Sequence, residues 1–186
     1  MRWDGLFDDL EAQWAELDRR ALQTEAAELT RGEWSRLGLA DRLRGGIGRT
    51  MRLHLIWGEH RDVRLESVGE GWIGGVVEAG GGLLVPLASL MAVEGDLGSA
   101  AEAPDRPSAR VPFAAALRRL ARARAAVRLT SPSGAAVAEG TVDRVGADHL
   151  DVARHPRDEA RRRSAVRGRL TVPFSALGLV ADAGGV

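Results

Sequence analysis

The sequence predicts an α+β fold, in which an N-terminal helical segment precedes two tandem small five-stranded β-barrels, each with a short leading helix. Three observations lead to this prediction. The chain starts with a glycine-poor stretch of good helix formers, it then changes to alternating apolar and polar residues, and the alternating part occurs twice. A chain of 186 residues suits one domain or two small ones with a buried core.

The N-terminal segment, residues 1–43, is predicted to be one long helix or a helical hairpin. Four of its apolar residues recur at spacings of three and four and would form one stripe along a helix. They are Phe7, Leu10, Trp14 and Leu17. Because this stripe holds for only about two heptads, it favours a hairpin or a dimer contact over a sustained coiled coil. These four residues are the candidate partner interface.

The rest of the chain divides at a linker. The first barrel is predicted over residues 44–95, because apolar and polar residues alternate from Met51 onward between glycine-rich turns. Residues 96–110 are rich in Gly, Ser, Ala, Pro and charge and are predicted to be the linker. The second barrel is predicted over residues 111–183, and Pro112 suits the first turn of its leading helix.

The two barrels are predicted from an internal repeat. Three pairs of segments match at nearly constant offsets: 51–53 with 127–129, 65–69 with 142–146, and 85–93 with 172–180. The extra ten positions of the second unit fall between Arg154 and Val166, in a polar segment typical of an inserted loop. Each unit would contain a hairpin, a bent strand that ends in Val-Gly, and a strand that breaks at Val-Pro before a short final strand.

This pattern resembles the Sm-like or SH3-like small barrel over residues 39–95 and 110–183. The chain also resembles a group of uncharacterised actinobacterial proteins with the same helical start and two such units, some of which are labelled Fis-type regulators. We find no helix-turn-helix pattern to support that label. Sm barrels that bind RNA carry an Arg-Gly pair at the break before the last strand, whereas the breaks here read Pro86-Leu87 and Pro173-Phe174. The resemblance therefore implies the fold without the uridine pocket.

Several classes of chemistry are disfavoured by the sequence. The chain has no cysteine, which excludes disulfides, thiolate metal sites and cysteine nucleophiles. Residues 69–74 satisfy G-x-G-x-x-G, but the pattern continues as a strand, so it favours a glycine-rich hairpin against which Trp72 packs. The histidine pairs at 54 and 60 and at 149 and 155 lack further converging ligands. We therefore expect no enzymatic activity, no cofactor and no metal site.

Charge is the strongest functional signal. The formal net charge is zero, yet residues 1–43 and 44–105 each carry −4, while residues 106–186 carry fifteen arginines against seven acids, or +8. Arginine clusters of this kind match phosphate geometry. The candidate nucleic-acid-binding residues are Arg118, Arg119, Arg122, Arg154, Arg157, Arg161, Arg162, Arg163, Arg167 and Arg169, with Arg124 and Arg128 in the same cluster. The alternative is a solvated face that pairs with the acidic half of the same or another subunit.

The sequence thus predicts a non-enzymatic binding protein, a nucleic-acid-associated regulatory factor that contacts RNA or DNA backbone without sequence specificity through its basic second barrel. The alternative is a protein–protein adaptor or scaffold that dimerises or recruits partners through the acidic N-terminal helix. The N-terminus lacks a basic start followed by an apolar stretch, and the longest nearly apolar run, 83–93, is too short to span a bilayer. We therefore expect a cytoplasmic protein that does not contact membranes.

Overall fold

The computed structural model describes residues 34–35, 37–78, 80–97, 111–155 and 168–183. The predicted helix with Phe7, Leu10, Trp14 and Leu17 lies outside the described residues, as does most of the predicted linker. The inserted loop, with five of the candidate arginines, lies outside them too: Arg157, Arg161, Arg162, Arg163 and Arg167. What the sequence predicts for these segments stays a prediction.

The described residues form two short helices and ten strands, arranged as two halves in chain order. The first half contains α1 (Leu39–Gly45), β1 (Thr50–Leu55), β2 (His60–Val68), β3 (Trp72–Val77), β4 (Gly82–Pro86) and β5 (Leu90–Glu94). The second half contains α2 (Phe113–Ala123), β6 (Ala126–Thr130), β7 (Ala136–Val145), β8 (His149–Arg154), β9 (Arg169–Pro173) and β10 (Leu179–Asp182). The predicted order of a short leading helix and five strands in each half is confirmed.

The two halves repeat each other in detail. A single 3-10 turn follows Pro86 in the first half and Pro173 in the second, at the predicted Val-Pro breaks. The bent second strand of each half has a register shift at the equivalent place, between Leu65 and Ser67 and between Val142 and Arg144. An extra residue in one strand of a pair bends that strand, which explains the bend that the Val-Gly pattern predicts.

The prediction of two closed barrels is wrong. All ten strands belong to one antiparallel sheet with the order β5-β1-β2-β3-β4-β10-β6-β7-β8-β9. Neither half closes on itself, because β4 of the first half pairs with β10 of the second instead of with its own last strand. Strand β10 pairs with β6 on its other side. The two halves are therefore joined by a strand pair, which we call the junction.

The junction serves two hydrophobic cores. Successive residues of a strand point to opposite faces, so one strand can bury side chains on both sides. Leu179 and Ala181 of β10 pack into the core of the first half, whereas Val180 between them packs into the core of the second. Leu84 of β4 packs against the second core, while its neighbour Leu83 is buried in the first. Each half thus completes the core of the other.

None of the helices within the described ranges is long and apolar enough to cross a lipid bilayer.

Candidate functional site

A basic pocket lies in the second half, between the end of α2 and strands β7, β8 and β9. Its volume is about 470 Å3. Four arginines and two aspartates supply its charged groups, and the residues that line it are Ala121, Arg122, Arg124, Thr141, Val142, Asp143, Arg144, Asp151 and Arg169. The pocket brings together Arg122 and Arg169, which the sequence predicted to bind nucleic acid from positions far apart in the chain.

Helix α2 places Arg122 by its amphipathic pattern. Leu117 is fully buried, and Ala114 and Ala116 are nearly so, which fixes one face of the helix against β7 and the core of the second half. Arg118 and Arg122 lie one helical turn apart on the other side and are both exposed. The buried face therefore holds the guanidinium groups of this helix toward solvent.

Arg124 ends the helix in an unusual conformation. Its φ of 49° makes it the one non-glycine residue with positive φ among the described residues. Its backbone N–H donates to Ala121 O, and the next N–H, of Ala125, donates to Leu120 O, as in a Schellman motif. Glycine is the residue that this position favours, because a β-carbon costs roughly 1–2 kcal/mol in the left-handed region. An arginine here aims a fourth guanidinium at the pocket at some cost in stability.

The strands supply the remaining two arginines. Arg144 is exposed on β7, immediately after the register shift, and is paired in register with Asp151 of β8. Arg169 begins β9, where it is paired in register with Ala153 of β8. The Arg169 side chain is 73% exposed. Both guanidinium groups thus come from strands that the sheet fixes side by side.

The acidic groups of the pocket are engaged within it. Asp143 Oδ2 lies 3.7 Å from Arg169 Nε. Asp151 Oδ1 accepts a hydrogen bond of 2.7 Å from the hydroxyl of Thr171. Four guanidinium groups against two carboxylates leave the pocket with an excess of two positive charges, since arginine stays protonated at neutral pH. Such a site attracts anions and disfavours a neutral ligand.

The structure places the other described candidates outside the pocket. Arg118 donates from Nη2 to Gly146 O at 3.1 Å, and so binds the loop between β7 and β8. Arg119 lines a separate, mostly apolar groove of about 450 Å3 beside the junction. Arg154 is exposed at the end of β8, where its N–H donates to Gly168 O next to Arg169. Of the ten candidates, two line the pocket and Arg154 lies beside it.

Sequence reasoning missed Arg144. Strict alternation along β7 does not reveal its direction, because the shift between Val142 and Arg144 inserts Asp143 as an extra residue. A matching register shift occurs at the equivalent position of β2, between Leu65 and Ser67. An arginine next to the Val-Gly corner, at the position equivalent to Ser67, could have been recognised from the aligned repeat.

The first half carries a different set of charged groups. The two oxygens of Asp62 accept hydrogen bonds from Arg52 at 2.8 and 3.0 Å, and this contact lowers the pKa of the Asp62 carboxyl. The His54 Nε2 atom lies 3.3 Å from Glu94 Oε2, and the rings of His54 and His60 are 6.3 Å apart. No group of three or more potential metal ligands occurs in the part of the chain that the structure describes.

The G-x-G-x-x-G segment of the first half forms a hairpin, as the sequence predicts. Trp72 is buried, and its indole lies so close to Gly69 that a β-carbon there would stand 2.1 Å from Nε1. Trp72 Nε1 donates to Val111 O at 2.8 Å, which attaches the segment that leads into α2 to the first half. Gly69 and Gly74 therefore make room for the Trp72 side chain, while Gly71 adopts the positive φ of the turn.

Comparison with protein-family models, curated proteins and solved structures finds no match to this chain. A function for the pocket has to be argued from its geometry and charge.

Proposed function

We propose that this chain is a non-enzymatic, nucleic-acid-associated regulatory protein, whose second half binds the sugar–phosphate backbone of RNA or DNA. The observation that carries the proposal is the pocket with four arginines and two aspartates on the exposed surface between α2 and β9. Guanidinium groups donate two parallel hydrogen bonds to phosphate oxygens, which makes arginine the preferred residue for phosphate recognition.

The arrangement favours backbone contacts over base recognition. Bases stack on aromatic side chains such as tryptophan, but Trp72 is buried in the first half and its indole N–H is already bonded to Val111 O. The pocket lining in the described residues contains no aromatic side chain on which a base could stack. Affinity that comes from phosphate contacts is largely independent of sequence and decreases strongly with salt.

The resemblance of the sequence to Sm-like barrels also supports the proposal, because that class of small barrel includes RNA-binding members. In this chain the binding surface would differ from theirs, because arginines from α2, β7 and β9 replace an Arg-Gly pair at the strand break. The distribution of charge along the sequence supports the same surface, because residues 106–186 carry a net charge of +8 and residues 1–105 a net charge of −8. Between Leu39 and Glu94 the first half carries seven acids against six arginines, so it has no excess of positive charge with which to bind a polyanion.

The proposal is tested by measuring the binding of the full chain to labelled single-stranded RNA and duplex DNA at several salt concentrations. We expect wild-type binding to weaken steeply with salt, and the variant R122A/R144A/R169A to bind more weakly, with a salt slope reduced by about 2 to 3 because three phosphate contacts are lost. A second variant, R161A/R162A/R163A, tests the inserted loop predicted from the sequence.

A matched control removes the same number of charges from the first half, as R49A/R61A/R64A. We expect this control to bind as well as wild type, since these arginines lie on the half that has no excess of positive charge. Absence of wild-type binding at low salt, or an equal loss in the control variant, would overturn the proposal.

A further inference from the structure

The sheet has two outer edges, and the internal repeat makes each of them the counterpart of a junction strand. Strand β5 is paired with β1 and β9 with β8, and within the described residues these two strands end the sheet. At the offset of 87, β5 corresponds to β10 and β9 corresponds to β4. By this correspondence, β5 of one copy would pair with β9 of another copy in the way that β10 pairs with β4 in the junction. Because that contact is head-to-tail, it could repeat into rings or filaments.

The junction itself depends on apolar side chains that each strand offers to the other half. Leu179 and Ala181 are 6% and 8% exposed in the core of the first half, and Leu84 packs against the core of the second. In register, Val180 lies opposite Leu84 and Ala181 lies opposite Leu83. Three side chains thus cross from one half to the core of the other.

The outer edges carry different side chains at the three equivalent positions. Leu84 corresponds to Thr171, Leu179 to Ala92, and Ala181 to Glu94. The Glu94 side chain is 68% exposed, and its carboxylate lies 3.3 Å from His54 Nε2. The Thr171 hydroxyl donates to Asp151 Oδ1. Two polar groups with partners on their own half have replaced two apolar groups that would reach across.

A second junction between two copies would bury these polar groups. In the junction register, Glu94 of one copy would lie opposite Leu170 of the next, as Ala181 lies opposite Leu83. Arg52 lies opposite Glu94 in register on β1, but a carboxylate that is buried against an apolar side chain loses its hydration, and this is costly even beside a cation. Thr171 would lose water without gaining a partner in the neighbouring copy. Charged and polar side chains on edge strands are a known defence against edge-to-edge pairing.

We propose that Glu94 and Thr171 close the two outer edges to a second copy of this chain, so that the junction forms once within each molecule and does not propagate between molecules. The inward-facing residues of the outer edges, Val93 and Val172, keep the same residue type as their junction counterparts. At two of the positions that would reach another copy, Glu94 and Thr171, a polar side chain stands where the junction has Ala181 and Leu84. Strands β5 and β9 therefore resemble the junction strands in their inward-facing residues, but they lack the outward-facing apolar side chains that form the junction.

The test restores the junction side chains at the outer edges of the full chain, as A92L/E94A/T171L. We expect the mass in analytical ultracentrifugation to rise with protein concentration above that of wild type, over about 1 to 100 µM, where weak protein interfaces become populated. The wild-type profile is expected to stay constant over the same range. Circular dichroism and thermal unfolding show whether the variant is folded, as expected for changes at exposed positions.

Two controls distinguish edge pairing from non-specific association. The variant T50L/E66A/A136L makes the same chemical changes at exposed positions of strands other than β5 and β9. The variant A92L/E94A/T171K keeps the altered β5 edge but places a charge on β9. We expect both to behave as wild type. Equal assembly by either control, no assembly by A92L/E94A/T171L, or concentration-dependent growth of wild type through these edges would overturn the proposal.

Discussion

The indole of Trp57 lies directly against Gly134, so that the first hairpin turn of one half contacts the first hairpin turn of the other. A β-carbon on Gly134 would stand 2.6 Å from the Trp57 Cδ1 atom, and the φ of Gly134 is +81°. Trp57 also packs against the core of the first half. The contact therefore joins the two halves at a place outside the junction.

Replacing Gly134 by alanine tests this contact. We expect Gly134→Ala to lower the free energy of unfolding by about 2 to 4 kcal/mol, because it adds a clash to the cost of a left-handed alanine. Gly58 is the matched control, since its φ is +89° but nothing lies within 4 Å of a β-carbon there. Gly58→Ala should cost only about 1 to 2 kcal/mol in denaturant titration. Equal losses would show that the contact contributes nothing.

Leu179 tests the dependence of the first half on the second. We expect Leu179→Ala to lower the free energy of unfolding by about 2 to 5 kcal/mol, since it empties part of a core. All five tryptophans lie in residues 1–72, and Trp57 and Trp72 belong to the first half, so fluorescence reports the first half and the segment before it, whereas far-ultraviolet circular dichroism reports the whole chain. The two transitions should move together to lower denaturant. A shift in circular dichroism alone would mean that the halves unfold independently.

Arg124 is expected to show opposite effects on stability and on binding. Arg124→Gly relieves the left-handed strain and should raise the free energy of unfolding by roughly 1 kcal/mol. The same change removes a guanidinium from the pocket and should weaken RNA binding at low salt. Arg124→Ala, which loses the charge but keeps the strain, should weaken binding equally without the gain in stability. Binding unchanged in both variants would remove Arg124 from the site.

The Arg52–Asp62 pair predicts a pH dependence in the first half. Hydrogen bonding and charge attraction from Arg52 lower the pKa of the Asp62 carboxyl below its ordinary value. The stability from this pair is therefore fully present above about pH 4, the ordinary aspartate range, and is lost as the pH falls through the lowered folded-state value. Carboxyl chemical shifts in an NMR titration measure that value.

The control for this titration is Asp148, whose pKa is lowered by the hydrogen bond from the His149 ring. In Arg52→Ala, we expect the pKa of Asp62 to return toward the ordinary range and that of Asp148 to stay where it is. A pKa of Asp62 that does not move would show that the pair is too solvated to interact.

The sequence predicted the parts of the fold that depend on local pattern. The Val-Gly corners and the breaks at Pro86 and Pro173 correctly placed the strands, because glycine and proline act through their own backbone. The partner of β4 could not be predicted in this way. Leu179 and Ala181 are apolar whether they close their own barrel or cover the core of another half, so periodicity is the same in both cases.

The candidate site, too, could be predicted from the sequence only in part. The net charge of residues 106–186 predicted a basic surface in the second half, and Arg122 and Arg169 of the predicted set line the pocket there. Arg144 was missed, because its direction depends on a register shift that only strand pairing reveals. The convergence of Arg122 and Arg169 depends on where α2 sits against β7, which is a property of tertiary packing.

The position of β10 in the chain has a consequence for synthesis on the ribosome. The other nine strands are translated before it, yet Leu179 and Ala181 belong to the core that β1 to β4 begin. A nascent chain that has exposed the whole first half still has an unpaired β4 and an incomplete core, although N-terminal domains usually fold first during translation. The first half can therefore complete its core only after Leu179 and Ala181 have emerged from the ribosome.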